Sequence, residues 1–260
     1  MHVLYVYAFL QIIFEVLPIS SSGSVLVWTT VLQNLFPLES MQCYVPDFDF
    51  LLHIPTFLVL AVFFFKEWFY YVRRLGAHKR EWVALGLRCA LADIFTATFY
   101  FFWKAYGKEF FPLGVGFLCT TLVLLSLKSV KSMRGTLVAL TTFDAAVLGI
   151  VQGFSLLPGI SRLAATFTAG VWLGYSPVAA LWYSFLIQVP LIGCAVLQVV
   201  WHMWQQQAVP TYLTDPLLYA VTISASVVSF CLLSVLFAMV KRGSVWKFAW
   251  YTGLLTLFTW

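Results

Sequence analysis

Charge is what this sequence has least of. Of 260 residues only 15 are Lys or Arg and 10 are Asp or Glu, a charged fraction of 10% against about 25% in an average soluble domain. A chain of 29.5 kDa cannot cover itself with a water-compatible surface from so few charges, so a soluble globule is excluded. The net charge of +5 is modest, which removes nucleic acid as a partner. Cysteine is scarce too: five residues stand singly with no Cys-x-x-Cys spacing, which excludes a disulfide scaffold. Cys89, Cys119, Cys194 and Cys231 lie in apolar runs and read as small hydrophobes, and only Cys43 lies in a polar loop. What fills the chain instead is hydrophobic, 62% of it, with a mean hydropathy of +0.92. The solvent is a bilayer.

A membrane-spanning helix needs about 20 mostly apolar residues. Candidate spans are Phe50 to Val72, Trp82 to Trp103, Phe110 to Leu127, Leu137 to about Phe154, Pro177 to Trp204, Pro216 to Val240 and Val245 to Trp260. The stretch Met1 to Leu32 is apolar but interrupted. It lacks a basic start and a small-residue cleavage site, so it is expected to be part of the mature protein. Basic residues collect in three loops, at Arg73, Arg74, Lys79 and Arg80, at Lys128, Lys131 and Arg134, and at Lys241, Arg242 and Lys247. Those loops are expected on the cytoplasmic side. The loops from Asn34 to Asp49 and from Gln205 to Asp215 carry no base and are expected outside, as is the loop flanked by Lys104, Lys108 and Glu109. The 11 Trp and 12 Tyr suit interfacial anchoring.

The chain also resembles itself. Phe50-Leu-Leu-His-Ile-Pro55 recurs as Phe185-Leu-Ile-Gln-Val-Pro190, and each copy follows a break bearing Pro and Ser. The first break is Leu17-Pro-Ile-Ser-Ser-Ser-Gly-Ser24 and the second is Leu157-Pro-Gly-Ile-Ser-Arg162. Combined with the charge pattern, the two copies run in opposite directions across the membrane. Such an inverted repeat brings two broken segments together near the midplane around a polar site, and irregular backbone at that depth implies a cavity. The expected architecture is a single all-α polytopic membrane domain, residues 1–260, with repeat 1 at about 1–136, repeat 2 at about 137–260 and two re-entrant hairpins.

The breaks carry the polar groups that an anion site needs. Arg162 is the only Lys or Arg between Arg134 and Lys241 and follows a turn able to present backbone N–H groups at a helix start. Its planar donor fork suits two phosphate oxygens, and Thr166 lies one turn on. The alternative is that Arg162 snorkels to headgroups. Glu15 is the only acid in the first 38 residues, with Gln11 one turn earlier, and Ser20, Ser21, Ser22 and Ser24 surround Gly23. Arg88 and Asp93, five apart, read as structural, and Asp144, midway along its span, reads as a hydrogen-bond or ion-pair partner within the bundle.

At these residues the sequence resembles the undecaprenyl-diphosphate phosphatase family, the bacitracin-resistance type of membrane lipid phosphatase. The first motif of that family stands as Gln11 to Glu15 followed by Leu17-Pro-Ile-Ser-Ser-Ser-Gly23. The second stands as Pro158-Gly-Ile-Ser-Arg-Leu-Ala-Ala-Thr166, and Phe48-Asp-Phe-Leu-Leu-His53 matches a further helix. The resemblance implies removal of the terminal phosphate of a polyprenyl diphosphate, in a bacterial inner membrane, with a divalent cation such as Mg or Ca. It assigns diphosphate binding to Arg162 and a base or metal-linked carboxylate to Glu15, and it makes Ser21 the candidate nucleophile, with direct attack by water as the alternative. Ser161 and Thr166 would hold phosphate oxygens, and Gln11, Ser20, Ser24 and Gly159 complete the expected substrate-binding set. Two departures stand out: Ser24 replaces the His that commonly follows the first-motif Gly, and Leu163 replaces the Ser after the motif Arg. His53 is then the candidate for proton transfer, against the alternative of a packing role. Two rival functions use the same fold: a non-enzymatic polyprenyl-phosphate translocator and a small-anion secondary transporter. A homo-oligomer is compatible with all three.

Overall fold

The computed structural model describes residues 2–35, 46–66, 69, 79–106, 111–129, 140–206 and 211–260. Ten α-helices carry the fold among them: α1 (His2–Glu15), α2 (Ser21–Leu35), α3 (Pro46–Phe63), α4 (Lys79–Tyr106), α5 (Leu113–Ser126), α6 (Thr142–Phe154), α7 (Arg162–Trp172), α8 (Pro177–Gln206), α9 (Pro216–Lys241) and α10 (Phe248–Thr259). The all-α polytopic expectation holds. Loop residues Arg73, Arg74, Lys108, Glu109, Lys131, Arg134, Glu39 and Cys43, and the expected repeat boundary near residue 136, lie outside the described residues.

Helix length separates two classes. Apolar helices over Lys79–Ala105, Pro177–Gln205 and Pro216–Lys241 are long enough to cross a membrane. At 1.5 Å per residue, α1, α2, α6 and α7 rise only about 15 to 25 Å, short of a hydrocarbon core of about 30 Å. Three expected spans are corrected accordingly. The one ending at Phe154 starts at Thr142, the one from Phe110 is the 14-residue α5, and the one from Val245 opens with a 3-10 turn before the 12-residue α10. Lys79 and Arg80 belong to the first turn of α4, not to a loop.

Local chemistry explains the helix starts. Thr141 accepts from the backbone of Asp144, whose carboxylate accepts from the backbone of Thr141 in return, a capping box that opens α6. Asp144 therefore sits in the first turn and not at mid-span; it also accepts from the buried Tyr175 hydroxyl, the hydrogen-bond role expected of it. Asp215 caps α9 through the Leu217 N–H at 2.9 Å, with Pro216 in the first helical position. Gly174, at φ 90°, turns the chain between α7 and α8.

Packing exchanges one half of the element order for the other. Helix α1 packs on α9 as α6 packs on α4, α2 meets α10 as α7 meets α5, and α3 and α8 face each other as do α5 and α10. Equivalent hydrogen bonds tie the first of these pairs: Ser229 of α9 donates to Ile12 O at 2.9 Å, and Thr96 of α4 donates to Gly149 O at 3.1 Å. Residue 149 must be Gly, since a Cβ there would stand 2.3 Å from Ala92 O. Lys128 lies over the Trp246 ring at 3.9 Å, so the end of α5 and the turn before α10 meet there.

The core is apolar, built around residues such as Phe64, Leu148, Tyr183 and Leu233, but it also encloses polar groups, and the outer surface is apolar as well. Gln11, Ser24, His53, Thr120, Gln152 and Ser229 are buried, while Leu87, Phe101, Trp201, Ile223, Trp250 and Leu257 are exposed. In water that surface would aggregate. In a bilayer it is the lipid contact, and the chain is a multi-pass membrane protein.

Candidate active site

Both breaks end at one cleft. A small polar pocket is lined by Glu15, Ser20, Ser21 and Ser22 from the first break and by Ser155, Ser161 and Arg162 from the second, with Gln188 of α8 closing it. Ser22, Ser155 and Arg162 are shared with a larger adjoining cavity of about 420 Å³ that Tyr7, Thr29, Thr30 and Gln33 also line. That volume suits a small-ligand head group. Beyond the second break an almost wholly apolar cavity of about 710 Å³ lies between α4 and α8, and Leu156 lines both cavities.

The first break presents the reactive geometry. Ser20 has φ 64°, the only positive φ of a non-glycine among the described residues, a strain that places it at the head of α2. Ser21, the first residue of α2, donates from Oγ to Glu15 Oε2 at 2.6 Å, within the range for a nucleophile and its base. Gln11 donates to the same oxygen at 3.4 Å. Glu15 Oε1 accepts from Gln188 Nε2 at 3.1 Å and lies 3.6 Å from His53 Nδ1, with the His53 and Glu15 side chains 9% and 7% exposed. Asp49, one turn before His53, accepts from the Tyr7 hydroxyl at 2.9 Å.

The second break is fixed from behind by α5. Thr120 Oγ1 donates to Gly159 O and accepts from Ser161 N, each at 3.0 Å. Gly159 has φ 80°, and a Cβ there would meet Leu113 O at 2.4 Å; a Cβ on Gly116 would meet Pro158 O at 1.9 Å. Two glycines thus let the break lie on the backbone of α5. Ser161 caps α7 by accepting from Ala164 N at 3.2 Å, which places Arg162 in the first helical position. Its Nε is buried with no hydrogen-bond partner, a donor held for a ligand.

Not every expected residue reaches the cleft. Thr166 is buried one turn along α7 and donates to Arg162 O at 2.9 Å, and Ser24 is buried and donates to Ile19 O at 3.1 Å. Neither lines the pockets, and both hydroxyls serve the backbone of their own break. Gly159 lines the larger cavity. Ser22, one of the hydroxyls expected at the first break, lines both pockets, whereas Gln188, Ser155 and the backing Thr120 carry no mark in the sequence motifs. For Gln188 a signal existed, because it stands opposite His53 in the repeat.

Comparison with known proteins agrees with this picture. The family model described as Bacitracin resistance protein BacA matches residues 4–258. An undecaprenyl-diphosphatase of Methanococcus vannielii is 31% identical over 253 residues, covering 94% of this chain and 93% of that protein. Undecaprenyl-diphosphatase 4 of Bacillus cereus is 27% identical over 257 residues, covering 97% and 95%, and an undecaprenyl-diphosphatase of Methanococcus maripaludis is 34% identical over 194 residues, covering 71% and 73%. With nearly its whole length matched by the family model, this chain belongs to the bacitracin resistance protein BacA family.

Proposed function

We propose that this protein is a membrane lipid diphosphatase that hydrolyses undecaprenyl diphosphate, or a closely similar polyprenyl diphosphate, to the monophosphate and inorganic phosphate. The names of its relatives support the reaction. The observation that carries it to this chain is the Ser21–Glu15 hydrogen bond in a cleft shared with Arg162. Arg162 binds the diphosphate with the N–H groups at the start of α7 and stabilises the charge that develops on phosphoryl transfer. Ser21 Oγ attacks the terminal phosphorus, Glu15 takes its proton, and the bond to the departing polyprenyl monophosphate breaks. Water then attacks the phosphoserine, phosphate leaves, and Ser21 regains its proton. The prenyl chain occupies the apolar cavity between α4 and α8, which shares Leu156 with the larger cavity beside Arg162.

A divalent cation such as Mg or Ca fits the donor set beside Glu15. Gln11 Oε1 and Ser20 Oγ are buried oxygens with no hydrogen-bond partner, and hard cations take oxygen ligands. Among the described residues no group of three His, Cys, Asp or Glu could cage a metal, so substrate phosphates would complete its shell, a mode common for Mg. Bound there, the ion would supply Lewis-acid stabilisation of phosphoryl charge.

The short α1–α2 and α6–α7 pairs are read as hairpins entering from opposite faces of a bacterial cytoplasmic membrane, which would recycle a cell-wall lipid carrier. The test is phosphate release by purified protein in detergent with polyprenyl diphosphate and Mg or Ca. Release that falls to background in Arg162→Ala supports the enzyme. No release above that control, with uptake into liposomes instead, would transfer the site to a translocator or anion transporter.

A further inference from the structure

The mechanism needs Glu15 to keep one oxygen on Ser21, and a carboxylate on a freely turning side chain does not do that by itself. Oε2 is committed to Ser21 and Gln11. The other oxygen, Oε1, meets two residues from two facing helices: Gln188 of α8 at 3.1 Å and His53 of α3 at 3.6 Å. These two residues occupy the same place in the internal repeat, the fourth position of Phe50-Leu-Leu-His-Ile-Pro55 and of Phe185-Leu-Ile-Gln-Val-Pro190. Because α3 and α8 pack face to face, the repeat folds its two equivalent side chains onto a single carboxylate oxygen.

We infer that Gln188 is the positioning residue for Glu15: its amide N–H anchors Oε1 and so turns Oε2 toward the Ser21 hydroxyl. Gln188 is buried, and its Nε2 makes the shorter of the two contacts on Oε1. An amide nitrogen can donate but cannot accept the Ser21 proton, so Gln188 orients the base without competing with it. The inference rests on the diphosphatase reading above.

The experiment compares wild type, Gln188→Leu, Gln188→His, Glu15→Gln and the double variant Glu15→Gln/Gln188→Leu with polyprenyl diphosphate and Mg, alongside their melting temperatures. A charge-assisted hydrogen bond to a base predicts that Gln188→Leu lowers kcat about 10- to 100-fold, with KM within about twofold. Gln188→His, which installs the residue found at the other copy of the repeat, recovers at least half of that loss on a logarithmic scale. Since Gln188 acts only through Glu15, the double variant is no slower than Glu15→Gln alone. Wild-type kcat in Gln188→Leu, a rise in KM at unchanged kcat, or losses that multiply in the double variant would each overturn the inference. If Gln188→Leu does not accumulate, Gln188→His decides: turnover within about tenfold of wild type is expected, and a larger loss in a folded protein overturns the inference. A wild type that releases no phosphate refutes the diphosphatase reading and this inference together, whereas an active wild type with an unaffected Gln188→Leu refutes the inference alone.

Discussion

Arg162 and Ser21 occupy the first positions of α7 and α2, one at each break, and their chemistry differs in testable ways. A Lys at 162 keeps the charge but loses the planar fork, so Arg162→Lys is expected to lower kcat/KM for polyprenyl diphosphate about 10- to 1,000-fold. Rapid quench with labelled substrate should trap a phosphoserine at Ser21. Turnover without any trapped phosphoserine at all quench times would make water the nucleophile, with Glu15 as its base. Asp215 gives a pH test outside the spanning helices. The Tyr5 hydroxyl and the Leu217 N–H both donate to it and hold its carboxyl below the usual range. A depressed carboxyl contributes stability above its unfolded-state value, lost as the pH falls below about 4. Tyr5→Phe removes the larger cause, so acid unfolding followed by circular dichroism should begin at higher pH in that variant than in wild type.

At the scale of elements, the second break depends on α5. Gly116→Ala would put a methyl carbon 1.9 Å from Pro158 O, backbone that cannot swing aside as a side-chain tip can. We expect destabilisation of about 1–3 kcal/mol and loss of most activity, because Ser161 and Arg162 move with the break. Full activity in Gly116→Ala would show that the break is not seated on α5. The apolar cavity between α4 and α8 is separable by substrate length. Ala97→Trp fills its wall and should raise KM for a long-chain polyprenyl diphosphate about tenfold, from contacts worth about 1–2 kcal/mol. KM for a 15-carbon prenyl diphosphate should stay unchanged. Equal effects on both lengths would place the chain elsewhere.

For the whole molecule, the exchange of packing partners explains how a chain with so few charges builds a charged site. Two broken segments that are far apart in sequence are carried to one cleft by pairs of equivalent contacts, α1 on α9 and α6 on α4. The same exchange sets α3 against α8 and brings His53 and Gln188 to Glu15. Burial of Gln11, His53 and Gln152 is tolerable because Gln11 and His53 meet the Glu15 carboxylate and Gln152 donates to Asp93 and Ile187 O. The exposed apolar belt, Leu87 and Phe101 on α4, Trp201 on α8 and Ile223 on α9, requires lipid or detergent. Dilution below the critical micelle concentration should aggregate the protein, as light scattering would register.

Much of this was legible in the residues themselves. Composition determined the solvent, because 10% charge cannot cover a water-facing surface. The long spans α4, α8 and α9 followed from unbroken apolar runs, and Glu15, Ser21 and Arg162 stood out because polar groups are rare where they occur. Helix ends were less legible: Asp144 read as mid-span because apolar residues precede it, whereas its capping box with Thr141 starts the helix there. Contacts between distant segments were not legible at all. Gln188 had the repeat to point to it but no charge to mark it, and Thr120, Gly116 and Ser155 look like ordinary helix or loop residues in one dimension. Thr166 matched its motif and Ser24 stood where the family commonly has His, but both hydroxyls turned to nearby carbonyls, a choice set by local backbone geometry. The sequence alone determined the membrane and the chemical groups; only the tertiary structure decided which of them meet, because an internal repeat states that two segments are equivalent, not that they converge on one carboxylate.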